Sequence, residues 1–341
     1  MITGGCGFIG SNAAQQFRQA GNEVVVIDNL SRPGSNSNLE WLREQGPLDF
    51  SNGDVRDATF MNESLKRTQP DVCIHLAAQV AVTTSVVEPR NDFEINALGT
   101  FNVLEAIRKH SPQTILLNAS TNKVYGKLGE LKVQESDQRY SLPELAQGVS
   151  EAQPLDFHSP YGCSKGAADQ YVIDYARIFG LRTVNFRQSC IYGKRQFGVE
   201  DQGWVAWFTI AHFFGEPITI YGNGKQVRDI LFVDDLVDCY LSAVERIDQV
   251  SGKTFNIGGG PTNTLSLLEL LDRLAQRSGR AVRHTFEDWR PGDQPIYVSD
   301  IRSAAQLLGW QPKTSVDQGL DQLFDWIVAH EDLFLAHASH L

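Results

Sequence analysis

Thr121 ends the apolar run ILLNAST, and Tyr161 and Lys165 follow in SPYGCSKGAADQY. A Tyr-x-x-x-Lys pair downstream of a Thr-bearing strand suits redox chemistry at a hydroxyl. An alcohol gives up hydride readily only if its proton leaves too. A phenol with a pKa of about 10 is a poor base at neutral pH unless a cation stands beside it. On a helix beginning near Tyr161, Lys165 lies one turn along the same face and supplies that cation. Thr121 is placed to align the reacting oxygen.

The same reaction needs a hydride acceptor, and ITGGCGFIG offers a place for one. Gly4, Gly7 and Gly10 form a G-x-x-G-x-x-G between a strand and a helix starting near Ser11. Such glycines let backbone N–H groups approach a pyrophosphate at a helix N-terminus. Asp28 ends the next strand, where a carboxylate accepts both adenosine ribose hydroxyls and repels a 2′-phosphate. NAD is therefore expected over NADP, with Arg32 the one nearby residue pointing the other way. Asp54, in GDVRD, closes a third strand, placed either against the adenine edge or as a helix N-cap. Only Met1, Ile2 and Thr3 precede Gly4. The first strand is then either stunted or begins upstream of this Met.

Positioning these groups takes a layered scaffold. Residues 23–28, 71–78, 114–120 and 183–189 read as buried strands, and 11–20, 57–68, 93–110 and 161–179 as the helices between them. That alternation predicts an α/β fold, a doubly wound parallel sheet with helices on both faces. The second half is more mixed. Residues 202–215 read as an apolar helix with Trp204 and Trp207 in its core-facing set. Residues 265–279 read as an amphipathic helix with Ser266 and Glu269 as its capping box. The one long irregular stretch, 127–160, leads into Tyr161 and is expected to be an active-site flap.

Composition narrows the partners. The 341 residues are 42% hydrophobic and 21% charged, with a net charge of −11 and a pI near 5.2. An acidic chain is a poor general nucleic-acid binder, so a bound anion needs locally placed arginines or backbone N–H groups. No apolar run reaches the roughly 18 residues of a membrane helix. The start runs straight into glycines and a helix pattern, without a signal peptide. Cys6, Cys73, Cys163, Cys190 and Cys239 are scattered, without metal-ligand spacing. No metal and a reducing, cytoplasmic setting are expected.

Together, TGGCGFIG, Asp28, the Thr strand and SPYGCSKGAADQY resemble the extended short-chain dehydrogenase/reductases that act on nucleotide sugars. RQSCIYGKRQ (187–196), GNGKQVRDILFVDDL (222–236), FNIGGG (255–260) and RPGD (290–293) extend the resemblance end to end. STNKVYG, LDFHSPYGCSKGAADQYVIDYARIFGL, YGKRQF, DQGWVAWF and DWRPGDQ narrow it to the CDP-sugar 2-epimerases. The resemblance implies a Rossmann domain of 1–187 plus 229–258, and a smaller mixed α/β substrate domain of 188–228 plus 259–341. It implies tightly held NAD and catalysis by Thr121, Tyr161 and Lys165. It adds Phe8, Ile9, Asn29, Ser31, Arg32, Val55, Leu76, Ala77, Ala78 and Gln79 to the cofactor contacts. For the CDP-sugar it implies Thr121, Asn122, Lys123, Gln188, Arg195, Gln196, Arg228 and Arg290. Related enzymes dimerise through the helices near 95–109 and 161–179, so a homodimer or homotetramer is expected.

In 4,6-dehydratases of this family an Asp and a Glu follow the Thr and carry the loss of water. Here Asn122 and Lys123 stand in their place. The hydride machinery is kept and the dehydration machinery is absent, which fits oxidation and re-reduction, that is, epimerisation. Lys123 either donates to a sugar oxygen near C2 or C3, or pairs with an acidic residue of 127–160. A 4-epimerase, a 2-epimerase of another CDP-hexose such as CDP-glucose, and a non-catalytic NAD-binding regulator are the competing readings.

Overall fold

The computed structural model of the chain describes residues 1–290 and 293–335. Seven parallel strands form the central sheet, in the order Lys253–Ile257, Thr183–Gln188, Ile115–Thr121, Val72–His75, Ile2–Thr3, Val25–Asp28, Asp49–Asn52. The fold is a doubly wound Rossmann sheet. Strands buried on both faces read as continuous apolar runs, which is why the sequence revealed them. The first strand, Ile2–Thr3, spans two residues between Val72–His75 and Val25–Asp28. Its ladder is lengthened by Ile74 N donating to Met1 O (3.0 Å) and Leu76 N to Thr3 O (3.0 Å).

Helices Phe8–Gln19, Ser35–Glu44 and Val233–Glu245 cover one face, burying Phe17, Leu39, Leu42, Leu236 and Tyr240. Helices Ala58–Thr68, Gly99–His110 and Ser159–Phe179 cover the other, burying Met61, Leu65, Leu104, Ile107 and Val172. The helix expected over 93–110 is interrupted. A short helix, Pro89–Phe93, runs through a π-turn, Glu94–Leu98, into Gly99–His110. Such an inserted residue re-aims side chains and is frequent at functional sites.

The second sheet is built on Val227–Phe232. It pairs with Thr264–Ser266, Ile296–Tyr297 and Cys190–Tyr192. A two-stranded parallel ribbon, Ile218–Tyr221 with His284–Glu287, lies alongside. Helices Trp204–Phe214, Leu267–Ser278 and Val316–Ala329 pack into a separate core. The Ser266 capping box forms as expected: Glu269 N donates to Ser266 Oγ (3.1 Å) and Ser266 N to Glu269 Oε2 (2.8 Å).

Segment 127–160 departs from expectation. It lines no part of the cavity described below and straps itself to the second sheet. Tyr140 N donates to Lys225 O (3.0 Å) and Val149 N to Val298 O (2.8 Å). Leu131, Leu142, Leu145 and Val149 bury against Val227, Ile296, Tyr297 and Val298. Sparse apolar residues in a polar stretch anchor it away from the site.

Candidate active site

A cavity of about 540 Å3 runs from the glycine loop, past the C-terminal ends of the central strands, into the second core. This is the crevice where open α/β sheets bind ligands. All the expected cofactor contacts except one line it: Gly4, Gly7, Phe8, Ile9, Gly10, Asp28, Asn29, Ser31, Arg32, Asp54, Val55, Leu76, Ala77, Ala78, Tyr161 and Lys165. Gln79 does not. Its amide is turned onto its own loop, donating to Ala81 O (2.8 Å) and accepting from Ala81 N (2.5 Å).

The glycine loop leaves a cradle that any side chain would fill. Gly4 has φ +67°, and a Cβ there would lie 2.7 Å from Ala77 N. A Cβ on Gly10 would lie 2.6 Å from Gly5 Cα. Asp28 closes the cradle: Oδ2 accepts from Cys6 N (2.9 Å) and Oδ1 from Leu30 N (2.8 Å). Burial raises its carboxyl pKa, opposed by these N–H groups. Asp54 is not a helix cap. Asp57 caps Ala58–Thr68, accepting from Thr59 N and Phe60 N. Asp54 is instead gripped by Arg56 (2.7 Å) and Asn29 (2.9 Å), and the Arg56 bond holds its carboxyl at about 2. Glycine cradle and buried carboxylate fit the expected dinucleotide.

Thr121, Tyr161 and Lys165 meet at mid-cavity. Pro160 stands in the first turn of the helix Ser159–Phe179, and Tyr161 and Lys165 lie one turn apart, both buried, with Thr121 beside Tyr161. The electrostatics correct the sequence expectation. Lys165 Nζ donates to Ala119 O (2.5 Å), and burial governs the phenol. Desolvation pushes Tyr161 up to about 12; the Thr121 bond opposes this, while Asp92 adds to it. Burial also lowers Lys165 to about 8, against the pull of Asp169 and Asp92. Without a further cation beside it, the phenol stays protonated at neutral pH.

Asn122, Lys123, Gln188, Arg195, Gln196, Arg228 and Arg290 also line the cavity. Lys123 makes no ion pair with segment 127–160 among the described residues. Burial and neighbouring Arg228 lower its ammonium pKa to about 8, with Asp293 and Cys190 opposing. Arg195 stacks on Trp41 at 4.2 Å, its backbone oxygen accepting from Asn38 (3.3 Å), on the glycine-loop side. Arg228 Nη1 donates to Val227 O (2.9 Å). Arg290 covers the Tyr221 ring at 3.8 Å and pairs with Asp201 at 3.1 Å. Gln188 donates to Tyr240 (2.5 Å), and Gln196 Oε1 is buried without a hydrogen-bond donor among the described residues. Of RPGD, Pro291 and Gly292 lie outside the described residues, while Arg290 and Asp293 line the cavity.

Trp207 is core, as expected, but Trp204 lines the cavity. Cys190, Tyr221, Gln226 and Asp293 line it too and were not expected from sequence as site residues, though each lies in or beside a quoted motif.

The model of the GDP-mannose 4,6 dehydratase family matches residues 1–323. The chain belongs to that family. It is 46% identical over 331 residues to CDP-paratose 2-epimerase of Salmonella typhi, covering 96% of this chain and 98% of that protein. It is 31% identical to UDP-glucose 4-epimerase of Mycolicibacterium smegmatis, covering 94% and 95%. Among solved structures, UDP-glucose 4-epimerase of Thermotoga maritima with UDP-glucose superposes with a TM-score of 0.82 at 30% identity, covering 96% of this chain and 98% of that one. The Thermus thermophilus UDP-glucose 4-epimerase complex with NAD gives 0.81 at 29%, with the same coverage.

Proposed function

We propose that the protein is a cytoplasmic, NAD-dependent epimerase that inverts C2 of a CDP-linked sugar, as in conversion of CDP-paratose to CDP-tyvelose. One observation carries this reading: a single cavity joins the glycine cradle to Thr121, Tyr161 and Lys165, while an amide and an ammonium, Asn122 and Lys123, follow Thr121. The 46% identity to a CDP-paratose 2-epimerase supports the CDP-sugar and the C2 position.

NAD, held by the Gly4–Gly10 cradle and Asp28, supplies the hydride acceptor, and its cationic nicotinamide favours tyrosinate. Thr121 aligns the sugar 2-hydroxyl and Tyr161 takes its proton as hydride leaves C2, giving a 2-keto sugar. Arg228 and Arg290 hold the diphosphate through guanidinium forks while the hexose turns about its link. Tyr161 then returns the proton as hydride returns to the other face, and no net redox occurs. Lys123 donates a hydrogen bond to a sugar oxygen near C2 or C3.

A homodimer fits the same family pattern. Phe93, Ile178 and Phe179 are 55%, 62% and 48% exposed on adjoining helices, an apolar face suited to a second copy.

The test is incubation of purified protein, without added NAD, with CDP-paratose, CDP-glucose or UDP-glucose in deuterated water, read by proton NMR. The expected result is C2 inversion of a CDP-sugar without deuterium at C2. Deuterium at C2 would replace hydride transfer with proton abstraction. C4 inversion, or loss of water, would overturn the C2 assignment.

A further inference from the structure

Asp92 is a buried carboxylate for which the mechanism above has no use. It sits in the short helix Pro89–Phe93, behind the cavity wall rather than in it. Its Oδ2 accepts from Ser164 Oγ (2.5 Å) and its Oδ1 from Asn96 Nδ2 (3.1 Å). Ser164 lies between Tyr161 and Lys165, and its hydroxyl also reaches Tyr161 O (3.2 Å). Asn96 stands on the π-turn Glu94–Leu98, locked by Gln79, whose N–H it accepts (3.0 Å) and whose carbonyl it meets (3.0 Å). The interrupted helix therefore delivers a carboxylate and an amide to the Tyr161–Lys165 turn.

We propose that Asp92 is a positioning residue for the Tyr161–Lys165 pair: a fixed buried negative charge that clasps their turn of helix and sets the pH range in which the pair works. This rests on the epimerase reading for its consequence in catalysis.

The surroundings leave that charge directed at the pair. On its own segment, Arg90 is spent on Glu94 (2.8 Å) at the surface. Packed against it, Gln79 and Ser85 are uncharged, and the helix Ser159–Phe179 presents Tyr161 and Lys165. Lys165 in turn faces Asp169 and neutral, buried His75. A negative charge opposes phenol ionisation and favours the ammonium, so Asp92 raises both Tyr161 and Lys165. Burial raises Asp92 itself, while Ser164 and Lys165 hold it down. Buried charge without a direct cationic partner costs stability, which marks it as a group kept for the site.

The experiment titrates near-ultraviolet phenolate absorbance of the holoenzyme, with Y161F subtracted to isolate Tyr161, alongside the pH profile of kcat. In D92N the Tyr161 midpoint is expected to fall by about one pH unit. Both limbs of the profile follow it downward, the acid limb through Tyr161 and the alkaline limb through Lys165. S164A removes the hydrogen bond but keeps the charge, and leaves the midpoint in place. Asp92→Ser, uncharged yet still able to accept, replaces D92N if that protein does not fold. An unmoved or raised midpoint in the uncharged variants overturns the proposal, as does an equal shift in S164A. A lowered midpoint in a protein that turns over no CDP-sugar leaves Asp92 standing and removes the epimerase reading instead.

Discussion

Behind Thr121 lies an ion pair whose removal should separate folding from activity. Asp169 accepts from Ser120 (2.7 Å), Asn185 (2.6 Å), Arg187 Nε (3.0 Å) and Arg187 Nη2 (2.9 Å). Arg187 is only 4% exposed and otherwise reaches Tyr125 (3.0 Å). Removing either charge strands the other in the core, at a cost of about 3–5 kcal/mol; replacing both with apolar residues costs far less, because neither charge is then desolvated. Asp169→Leu and Arg187→Met should each lower the unfolding free energy by that amount. The double variant should fall well short of their sum, with a coupling of at least about 2 kcal/mol in a denaturant double-mutant cycle. The coupling has a pH signature. Burial raises the Asp169 carboxyl, but Arg187, Ser120 and Asn185 together outweigh it and the net shift is downward. The stabilisation is thus complete above the unfolded carboxylate value of about 3.9 and is lost as pH falls through the lower folded value. Activity should not recover with stability. Asp169 is the largest charge keeping Lys165 protonated, so the alkaline limb should drop below about 8 in the double variant. A double variant as unstable as the sum of the singles, or one whose alkaline limb is unmoved, would refute this reasoning.

Two further substitutions probe the two ends of the cavity. Gly10→Ala puts a Cβ 2.6 Å from Gly5 Cα, so the loop must open. Overpacking of about 1–3 kcal/mol, carried into the bound state, implies about 5- to 150-fold weaker dinucleotide binding. Chromatography of nucleotide released by acid should show much less NAD than in wild type, and full retention would remove the loop from the pyrophosphate site. Lys123→Met should cut kcat by about 10–100-fold, the worth of a charged hydrogen bond of about 1.5–3 kcal/mol. It should also raise the melting temperature at pH 7. Burial depresses the Lys123 pKa to about 8, below its unfolded value, so the ammonium penalises folding in full below about 8 and the penalty fades above it. A melting temperature that falls together with activity would show that Lys123 is structural.

The parts of the fold legible in advance were those written in local pattern. The runs around Val26, Ile74, Leu117 and Val184 could only be buried strands, and the glycine spacing with Asp28 marked one end of the cavity. Thr121, Tyr161 and Lys165 were legible because strand end and helical turn fix their separation. What stayed hidden depends on tertiary contacts. The π-turn at Glu94–Leu98 has no periodic signature, since Asn96 is held there by Gln79 and Ser164, distant in sequence. Segment 127–160 is polar by composition, and its few apolar residues reveal their target only once Tyr297 and Val298 are in place. Spacing put Lys165 beside Tyr161 but could not show that its ammonium bonds to Ala119 O, or that desolvation outweighs it at the phenol.

The same distinction decides what Asn122 and Lys123 mean. Elimination of water needs one group to take a proton from carbon and another to protonate the departing hydroxyl. An amide does neither, and an ammonium can only donate until it loses its own proton. The cavity does hold other carboxylates, but each has an occupation. Asp28 and Asp54 are bound to backbone N–H groups and Arg56 at the glycine-loop end. Asp201 pairs with Arg290 (3.1 Å), and Glu200 accepts from Tyr221 (3.1 Å). Asp293 faces Lys123, whose ammonium form it favours. In the proposed reaction, a ketone formed on the sugar would thus meet hydrogen-bond donors at Thr121, Asn122 and Lys123, and no carboxylate at the two positions after Thr121. Donors hold a keto oxygen without drawing a proton from the neighbouring carbon. On the proposed epimerase reading, an amide and a half-buried ammonium suit a ketone that has to stay intact while the sugar turns.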